Sequence, residues 1–482
     1  GKYLRFAVIG TNSVGASTQW SATSAQVGVA PSNTTLPGIT LKAGSAGAIV
    51  GDSATVTAGT WSGNPLPSLT YKWYRCSSSA ATATTTSPTE CTFIGDASGS
   101  SYTFTNSDVG SYIRGVEVAE SSSGINYAYT ATVGPVQESR TIAAGLNFTC
   151  AIKLGYVYCW GYNASGQLGD GTTTSRNTMP STPIKLGDGT YLKNVVSIDA
   201  GGSQACAITT AGAMYCWGGN TYSQLGDGTT TNRSIPTPVT GLSSGVVGIA
   251  EGYYNTCAIK TSGALYCWGT NGYGQIGDNT TTARTTPTAT SNMTTGVTQV
   301  SLGNQTTCAI KAGSLYCWGY NGNGNVGDGT STNRSLPTQT LNMTSKVTDV
   351  SVGWSQACAI KDGAAYCWGY NASGQLGDGT VTASTSPVAV IDVAGSPAIK
   401  LSSGVTDVEA ADYSTYSDCF VKQSQKVYCA GENAQGQLAT GNTTGLSSPA
   451  AASLYTGNVT ALTLGRYHSC AIMDNKVSCV GY

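Results

Sequence analysis

The chain has 482 residues, of which only 10% are charged, and a formal net charge of −1. This balance excludes the basic field of a nucleic-acid binder, and no like-charged run marks an acidic tail or a polybasic membrane patch. Glycine (63) and tyrosine (27) abound while phenylalanine (5) is scarce, and no window holds a 3.6-residue apolar period or a bilayer-spanning apolar run. The composition predicts an all-β protein rich in turns.

In chain order, the opening "GKYLRFAVIG" carries no secretory leader and reads as the interior of something longer. Residues 1–27 align with residues 110–136: both begin Gly-x-Tyr-(Leu/Ile)-Arg, pass a small-polar turn and end near Val27 or Val136. Residues 1–30 are therefore expected to be the last two strands of an incomplete module, joined by a linker at 31–37 to a β-sandwich at 38–136. Two strands alone do not make a stable sandwich, so this reading expects further chain upstream or pairing with another subunit. Within the sandwich, "YKWYRC" places Trp73 on a central strand, and Cys76 and Cys91 bracket a polar stretch. These features resemble the immunoglobulin-like tandem modules of bacterial surface proteins.

From residue 137 onward, seven cysteine pairs follow: Cys150/Cys159, Cys206/Cys216, Cys257/Cys267, Cys308/Cys317, Cys358/Cys367, Cys419/Cys429 and Cys470/Cys479. Taking Asp362-Gly363 as a two-residue type I′ loop sets Cys358 opposite Cys367 on one face of a hairpin, within reach of a bridge. In "CAIKTSGALYC" a three-residue loop ending at Gly263 does the same for Cys257 and Cys267. Free buried thiols and a metal site are the alternatives, but zinc favours shorter Cys-x2–4-Cys gaps and histidine, and the chain has one histidine, His468. Disulfides are expected at all eight pairs. Each short loop closed this way stabilises by roughly 2–3 kcal/mol, and the set implies an oxidising compartment, hence an extracellular or cell-surface protein.

The first cysteines of successive pairs recur about every 50 residues, with roughly four short strands per unit, which predicts a β-propeller over 137–482. The hairpins are apolar on both faces, as blades sandwiched between neighbours would be, so Trp160, Trp217, Trp268, Trp318 and Trp368 are expected in the core. The loop aspartates Asp170, Asp227, Asp278, Asp328 and Asp378 are read as turn caps, with calcium as the alternative.

The phrase "CAI-x-x-x-G-x-x-YCWG-x-N-x-x-GQLGDGTTT" resembles the bacterial secreted branch of the regulator-of-chromosome-condensation repeat family. That resemblance implies seven blades. The family includes secreted β-lactamase inhibitors, and its eukaryotic members exchange nucleotide on a small GTPase and touch chromatin. Units six and seven depart from the pattern: Ala430 follows Cys429, Ala439 follows Leu438, and the seventh stops at "CVGY". The seventh unit thus lacks a fourth strand, which is expected from residues 130–139 or from another molecule.

No catalytic constellation, phosphate loop or cofactor motif is apparent. The chain is expected to be non-enzymatic, without cofactor or metal. The variable turns before the cysteine hairpins bring forward Phe148, Gln204, Tyr253, Tyr254, Gln305, Trp354, Tyr416, Tyr467 and His468, either packed over a channel mouth or gripping a protein or glycan ligand. The expected role is adhesion or ligand binding by a propeller on an immunoglobulin-like stalk; the second is a filament or sheath subunit that self-assembles by strand exchange.

Overall fold

The computed structural model describes residues 7–12, 15–20, 29–41, 48, 50, 52–77, 83–85, 90–97, 99–105, 108, 111–136, 141–391, 401–411, 416–422, 424–457, 459–473 and 476–481. Every regular element among them is a strand apart from a single 3-10 residue, and no helix is long and apolar enough to cross a membrane. The chain divides into two compact units, Gly1–Phe104 with Ser111–Val136, and Thr105–Gly110 with Gln137–Tyr482.

In the first unit, strands Ser68–Cys76, Cys91–Ala97, Tyr112–Ser121 and Gly124–Val133 form a four-stranded sheet. A second sheet joins Gly38–Leu41, Ser53–Thr57 and Ser101–Thr103. Trp73, Phe104, Ile113, Ala54 and Val56 are buried in the core that the two sheets share. Strands Ala7–Asn12 and Gly15–Trp20 form a separate antiparallel hairpin. Residues 31–37 are not simply a linker: Val29–Thr35 is a strand whose Ser32, Asn33 and Thr35 pair with Ser62, Trp61 and Thr60. Asn33 Nδ2, donating to the Thr60 carbonyl, and the Thr34, Thr35 and Thr60 hydroxyls reinforce that pairing. Pro31 stands at a register shift in it, where no ladder N–H is needed.

The second unit holds seven antiparallel sheets in chain order. Five have four strands, and the first (Ile142–Gly161) and seventh (Val459–Gly481) have three among the described residues. The hairpin registers follow from cysteine spacing and turn chemistry. Cys358 faces Cys367 with Ala359/Tyr366 and Ile360/Ala365 alongside, around left-handed Asp362 and Gly363. Cys257 faces Cys267, with Gly263 at φ 73°. All eight expected disulfides are formed: Cys76–Cys91, Cys150–Cys159, Cys206–Cys216, Cys257–Cys267, Cys308–Cys317, Cys358–Cys367, Cys419–Cys429 and Cys470–Cys479. No cysteine is free among the described residues.

The pairing is as expected, but the surroundings of Cys159 and Cys479 are not. In the five four-stranded sheets the second cysteine is flanked by a fourth strand: Cys216 by Thr237, Cys267 by Thr288, Cys317 by Thr338, Cys367 by Val388 and Cys429 by Ala450. Cys159 and Cys479 pair only with Cys150 and Cys470, because their strands end the sheet among the described residues. In the first of the seven sheets the outer segment makes one bridge, Gly161 with Arg176, and then folds back on itself instead of forming a strand. Lys185 bridges Tyr191 there, and besides the two Gly161–Arg176 bonds a bond from the Ile184 N–H to the Val157 carbonyl ties it to the sheet. Ile184 and Leu192 of that segment still cover Cys159, which is 1% exposed. Nothing described plays this part for Cys479, and it is exposed although Cys470 across from it is buried. A hairpin covered on both faces is therefore not found at the seventh unit.

One bond recurs between neighbouring sheets. A side-chain oxygen near the end of one innermost strand accepts the backbone N–H of the next: Asp199 from Glu251 (2.9 Å), Ser301 from Val352 (3.0 Å) and Ser351 from Ala410 (2.9 Å). Thr463 of the seventh sheet accepts from Ala144 of the first (3.1 Å) in the same way. The strand expected from residues 130–139 does not complete the seventh sheet. Residues 130–133 belong to Gly124–Val133, paired with Ile113–Ser121 in the first unit, and Val136 bonds to Ser111 there; residues 137–139 lie outside the described residues.

Candidate binding face

The loop after each third strand is built around one buried asparagine. Asn220 Nδ2 donates to Asp227 Oδ1 and to the Thr229 and Thr231 carbonyls, while its Oδ1 accepts the Leu225 N–H. Asn163, Asn271, Asn321 and Asn371 repeat the arrangement. The aspartate of each loop caps the next threonine and, in the first four, pairs with an arginine: Asp227 Oδ2 lies 2.7 Å from Arg233. These hydrogen bonds hold Asp170, Asp227, Asp278 and Asp328 below the usual carboxylate range, against the opposing effect of partial burial. The aspartates act as turn caps. Of the Asn-x-Ser/Thr sequons, Asn163 and Asn371 are fully buried in these networks, whereas Asn232, Asn279 and Asn333 are exposed.

Each loop then docks on the following sheet. The indole N–H of Trp217 donates to the Gln167 carbonyl, Trp268 to Gln224, Trp318 to Gln275 and Trp368 to Asn325, at 2.8–3.0 Å. These four rings are fully buried; Trp160, expected with them in the core, is only partly so. The loop glycine lies flat on the ring: a Cβ at Gly226 would stand 2.6 Å from Trp268 Nε1. The departure at Ala439 now has a cause. The seventh sheet carries Val480 in the tryptophan register, opposite Ser469, and that leaves room for Ala439 in the preceding loop, at φ 55°.

Docking brings the loops and the variable turns onto one face. Tyr222 of the second loop meets Tyr254 of the third turn (ring centroids 4.1 Å), Tyr254 meets Tyr253 (4.3 Å), and Tyr253 reaches Trp354, two sheets on (5.3 Å). Tyr273 packs on Tyr320 and Tyr370 on Tyr416. Arg466 sits over the Tyr467 ring at 4.7 Å. Burial, then the neighbouring tyrosines, raise Tyr254 well beyond the usual phenol range; Tyr416 is raised by the same kind of surroundings. These hydroxyls stay protonated donors at any physiological pH.

Of the nine turn residues expected at a ligand, six reach this face at least in part: Tyr253, Tyr254, Gln305, Trp354, Tyr416 and Tyr467. Phe148, Gln204 and His468 each begin the second strand of their sheet; Phe148 and Gln204 turn fully inward, and His468 is partly buried. Phe148 is 1% exposed. Gln204 donates to the Gly252 carbonyl of the next sheet, and His468 Nε2 lies 3.3 Å from Thr149 Oγ1 of the first sheet. Burial lowers the His468 pKa, which suits a neutral junction residue. Tyr222, Tyr273, Tyr320 and Tyr370 are not singled out by the sequence reading, although "GYN" recurring in the loops points to two of them.

Three buried carboxyls stand between sheets: Asp349, Asp418 and Glu251. Asp349 accepts from Gln299 of the preceding sheet and from the Val408 N–H of the following one, and burial, then Asp407, pushes it up to about 8. Asp418 accepts from Gln356 Nε2 (3.1 Å), and its Oδ2 lies 3.2 Å from Cys358 Sγ. An oxidised sulfur carries no proton to donate, so this contact is no hydrogen bond from the sulfur. Burial pushes Asp418 up to about 8, and burial, then Asp199, raises Glu251, beside Cys206–Cys216, well above the usual range. The disulfides leave no thiolate for a metal at either place.

The RCC1-like domain model matches residues 84–410. Human HERC4, a probable E3 ubiquitin-protein ligase, is 33% identical over 176 residues, which are 35% of this chain and 16% of the ligase. The ultraviolet-B receptor UVR8 of Arabidopsis thaliana is 35% identical over 140 residues, 29% of this chain and 31% of the receptor. The chain thus spans less than a third of each relative. Among solved structures, human WBSCR16 superposes with a TM-score of 0.60 at 18% identity, covering 86% of this chain and 99% of that one. Yeast RCC1 (Prp20), solved bound to Kap60, gives 0.57 at 17% identity over 69% of this chain and 80% of its own. The chain belongs to the RCC1-like domain family.

Proposed function

We propose that this chain is a non-enzymatic extracellular binding protein of bacterial type, in which an immunoglobulin-like stalk displays a seven-bladed, disulfide-clasped propeller. The observation that carries the reading is the aromatic arc: Tyr222, Tyr253, Tyr254 and Trp354 gather on one face from turns whose frames repeat and whose middles vary. Rigid aromatic rings with phenolic donors suit the apolar faces and hydroxyls of a glycan, or a protein surface. Eight disulfides favour an oxidising location. Relatives' ligase, photoreceptor and Kap60-binding descriptions concern proteins that this chain matches in part or in fold alone, and none is carried over.

The test is the double variant Tyr254→Ala/Trp354→Ala in cell-attachment and glycan-array measurements. Attachment should fall at least tenfold while the melting temperature stays close to that of the parent; unchanged attachment overturns the reading. A second reading, a filament subunit, draws on the strand Lys476–Gly481, which carries Cys479 and pairs on one side only among the described residues. Purified protein would then form polymers in electron micrographs, and a monodisperse monomer would remove it.

A further inference from the structure

The first strands of all seven sheets meet around one small cavity of about 50 Å3, whose wall includes Asp199, Ser301, Ser351, Glu409 and Thr463. Residues two positions apart on a strand share a face. Gln299, Asp349 and Asp407 therefore stand one step along from Ser301, Ser351 and Glu409, on the strands Val297–Leu302, Val347–Val352 and Val405–Ala410. Ser301, Ser351 and Glu409 face the first cysteines of their hairpins, and Gln299, Asp349 and Asp407 face Ile310, Ile360 and Val421. Three neighbouring sheets thus bring Asp349, Asp407 and Glu409 to one side of the cavity. Neither register carries a lysine, arginine or histidine in sheets two to seven. Asp349 is buried and accepts Gln299 Nε2 (2.5 Å) and the Val350 and Val408 N–H groups (both 3.0 Å). Such donors favour the ionised carboxylate, while burial and the Asp407 carboxylate beside it work against the charge. A second, separate observation concerns Gln299. It is only 6% exposed, yet its Oε1 finds no partner among the described residues. The amide nitrogen on the same carbon already touches Asp349, so this oxygen ends beside the carboxylates.

We propose that this side of the cavity binds one hard divalent cation of the calcium type, held by the carboxylates of Asp349, Asp407 and Glu409 and by the Gln299 amide oxygen. A positive charge answers both observations: it balances adjacent carboxylates that no basic side chain faces, and it takes the lone pair of a buried oxygen. The donors are all oxygen, which selects calcium over zinc or copper, and they come from three separate strands, which suits the adaptable shell of calcium better than the strict octahedron of magnesium. Asp407 and Glu409 are partly exposed and give the ion its way in. The loop aspartates are a different matter, because threonine donors and, in the first four loops, arginines already engage them. The proposal is independent of the aromatic-arc reading, because Tyr222, Tyr253, Tyr254 and Trp354 do not line the cavity.

The test strips the full chain with a chelator and titrates it with calcium chloride, followed by calorimetry and by the melting temperature. Saturable one-to-one binding is expected, with a rise in melting temperature that the chelator reverses. Asp407→Asn, which leaves the bonds to Asp349 from Gln299, Val350 and Val408 in place, should weaken calcium binding at least tenfold. Glu409→Gln, at a partly exposed position, should weaken it severalfold, and it serves as the second variant if Asp407→Asn does not fold. Asp378→Asn, which removes only a turn cap of the fifth loop, should leave the affinity unchanged. Absence of calcium binding, which would leave Asp349 and Asp407 to share a proton, overturns the proposal. So does an affinity that the Asp407 and Glu409 variants keep, or one that Asp378→Asn abolishes, because the ion then sits elsewhere. Magnesium binding as tightly as calcium overturns the assignment of the ion.

Discussion

At the residue scale, small changes in side-chain length decide which buried polar groups are satisfied. In the other docked loops a glutamine reaches back to a backbone N–H: Gln167 to Ser165, Gln224 to Tyr222, Gln275 to Tyr273. Asn325 in the fourth loop is one methylene shorter, and neither of its amide atoms finds a partner. Asn325→Gln should therefore raise stability by about 1 kcal/mol, measured by denaturant unfolding; a loss would show that the site is too tight for the extra methylene. Asp418 sets a pH dependence. Its folded pKa, about 8, lies above the unfolded value near 4. Its favourable contribution is complete below pH 4 and drains away as the pH rises toward 8. Each pH unit in that window removes at most about 1.4 kcal/mol per such carboxyl. Asp418→Asn should flatten the fall in melting temperature between pH 5 and 8, and an unchanged slope would assign the dependence to Glu251 or Asp349.

At the element scale, the unit of construction is a hairpin clasped by a disulfide and locked to its neighbours by a loop. Replacing both cysteines of one clasp, Cys308→Ala with Cys317→Ala, should cost about 2–3 kcal/mol in denaturant unfolding, without loss of the fold, because the loop of the third sheet still docks on Trp318. The hairpins were legible in sequence because spacing, turn glycines and alternation all act within a dozen residues. What flanks a hairpin was less so: among the described residues Cys159 has no fourth strand beside it, because the segment around Lys185 and Tyr191, outside the repeated phrase, turns back on itself. The strand Val29–Thr35 was not legible either, because its partners lie some thirty residues on and its own sequence has the polar, proline-containing look of a linker. The binding face was half legible. The turns are recognisable by their repeated frame, but the step from the third to the fourth residue of a turn passes into a strand, where side chains alternate in direction. Phe148, Gln204 and His468 fall on the inward side of that step, and Tyr253, Tyr254 and Trp354 on the outward side. Tyr222 was missed because it meets Tyr254 only once its loop has crossed to the next sheet.

At the scale of the whole molecule, a repeated bond ties neighbouring sheets at four junctions, from Asp199–Glu251 to Thr463–Ala144. Variable aromatics occupy one face of these sheets. The proposed extracellular life of the protein depends on the disulfide clasps being oxidised in the native material. Peptide mapping by mass spectrometry, on protein alkylated before any reduction, tests this most directly. The account predicts eight linked peptide pairs, Cys76–Cys91 and the seven hairpin pairs from Cys150–Cys159 to Cys470–Cys479, with no alkylated cysteine. Recovery of the hairpin cysteines as alkylated thiols would contradict it.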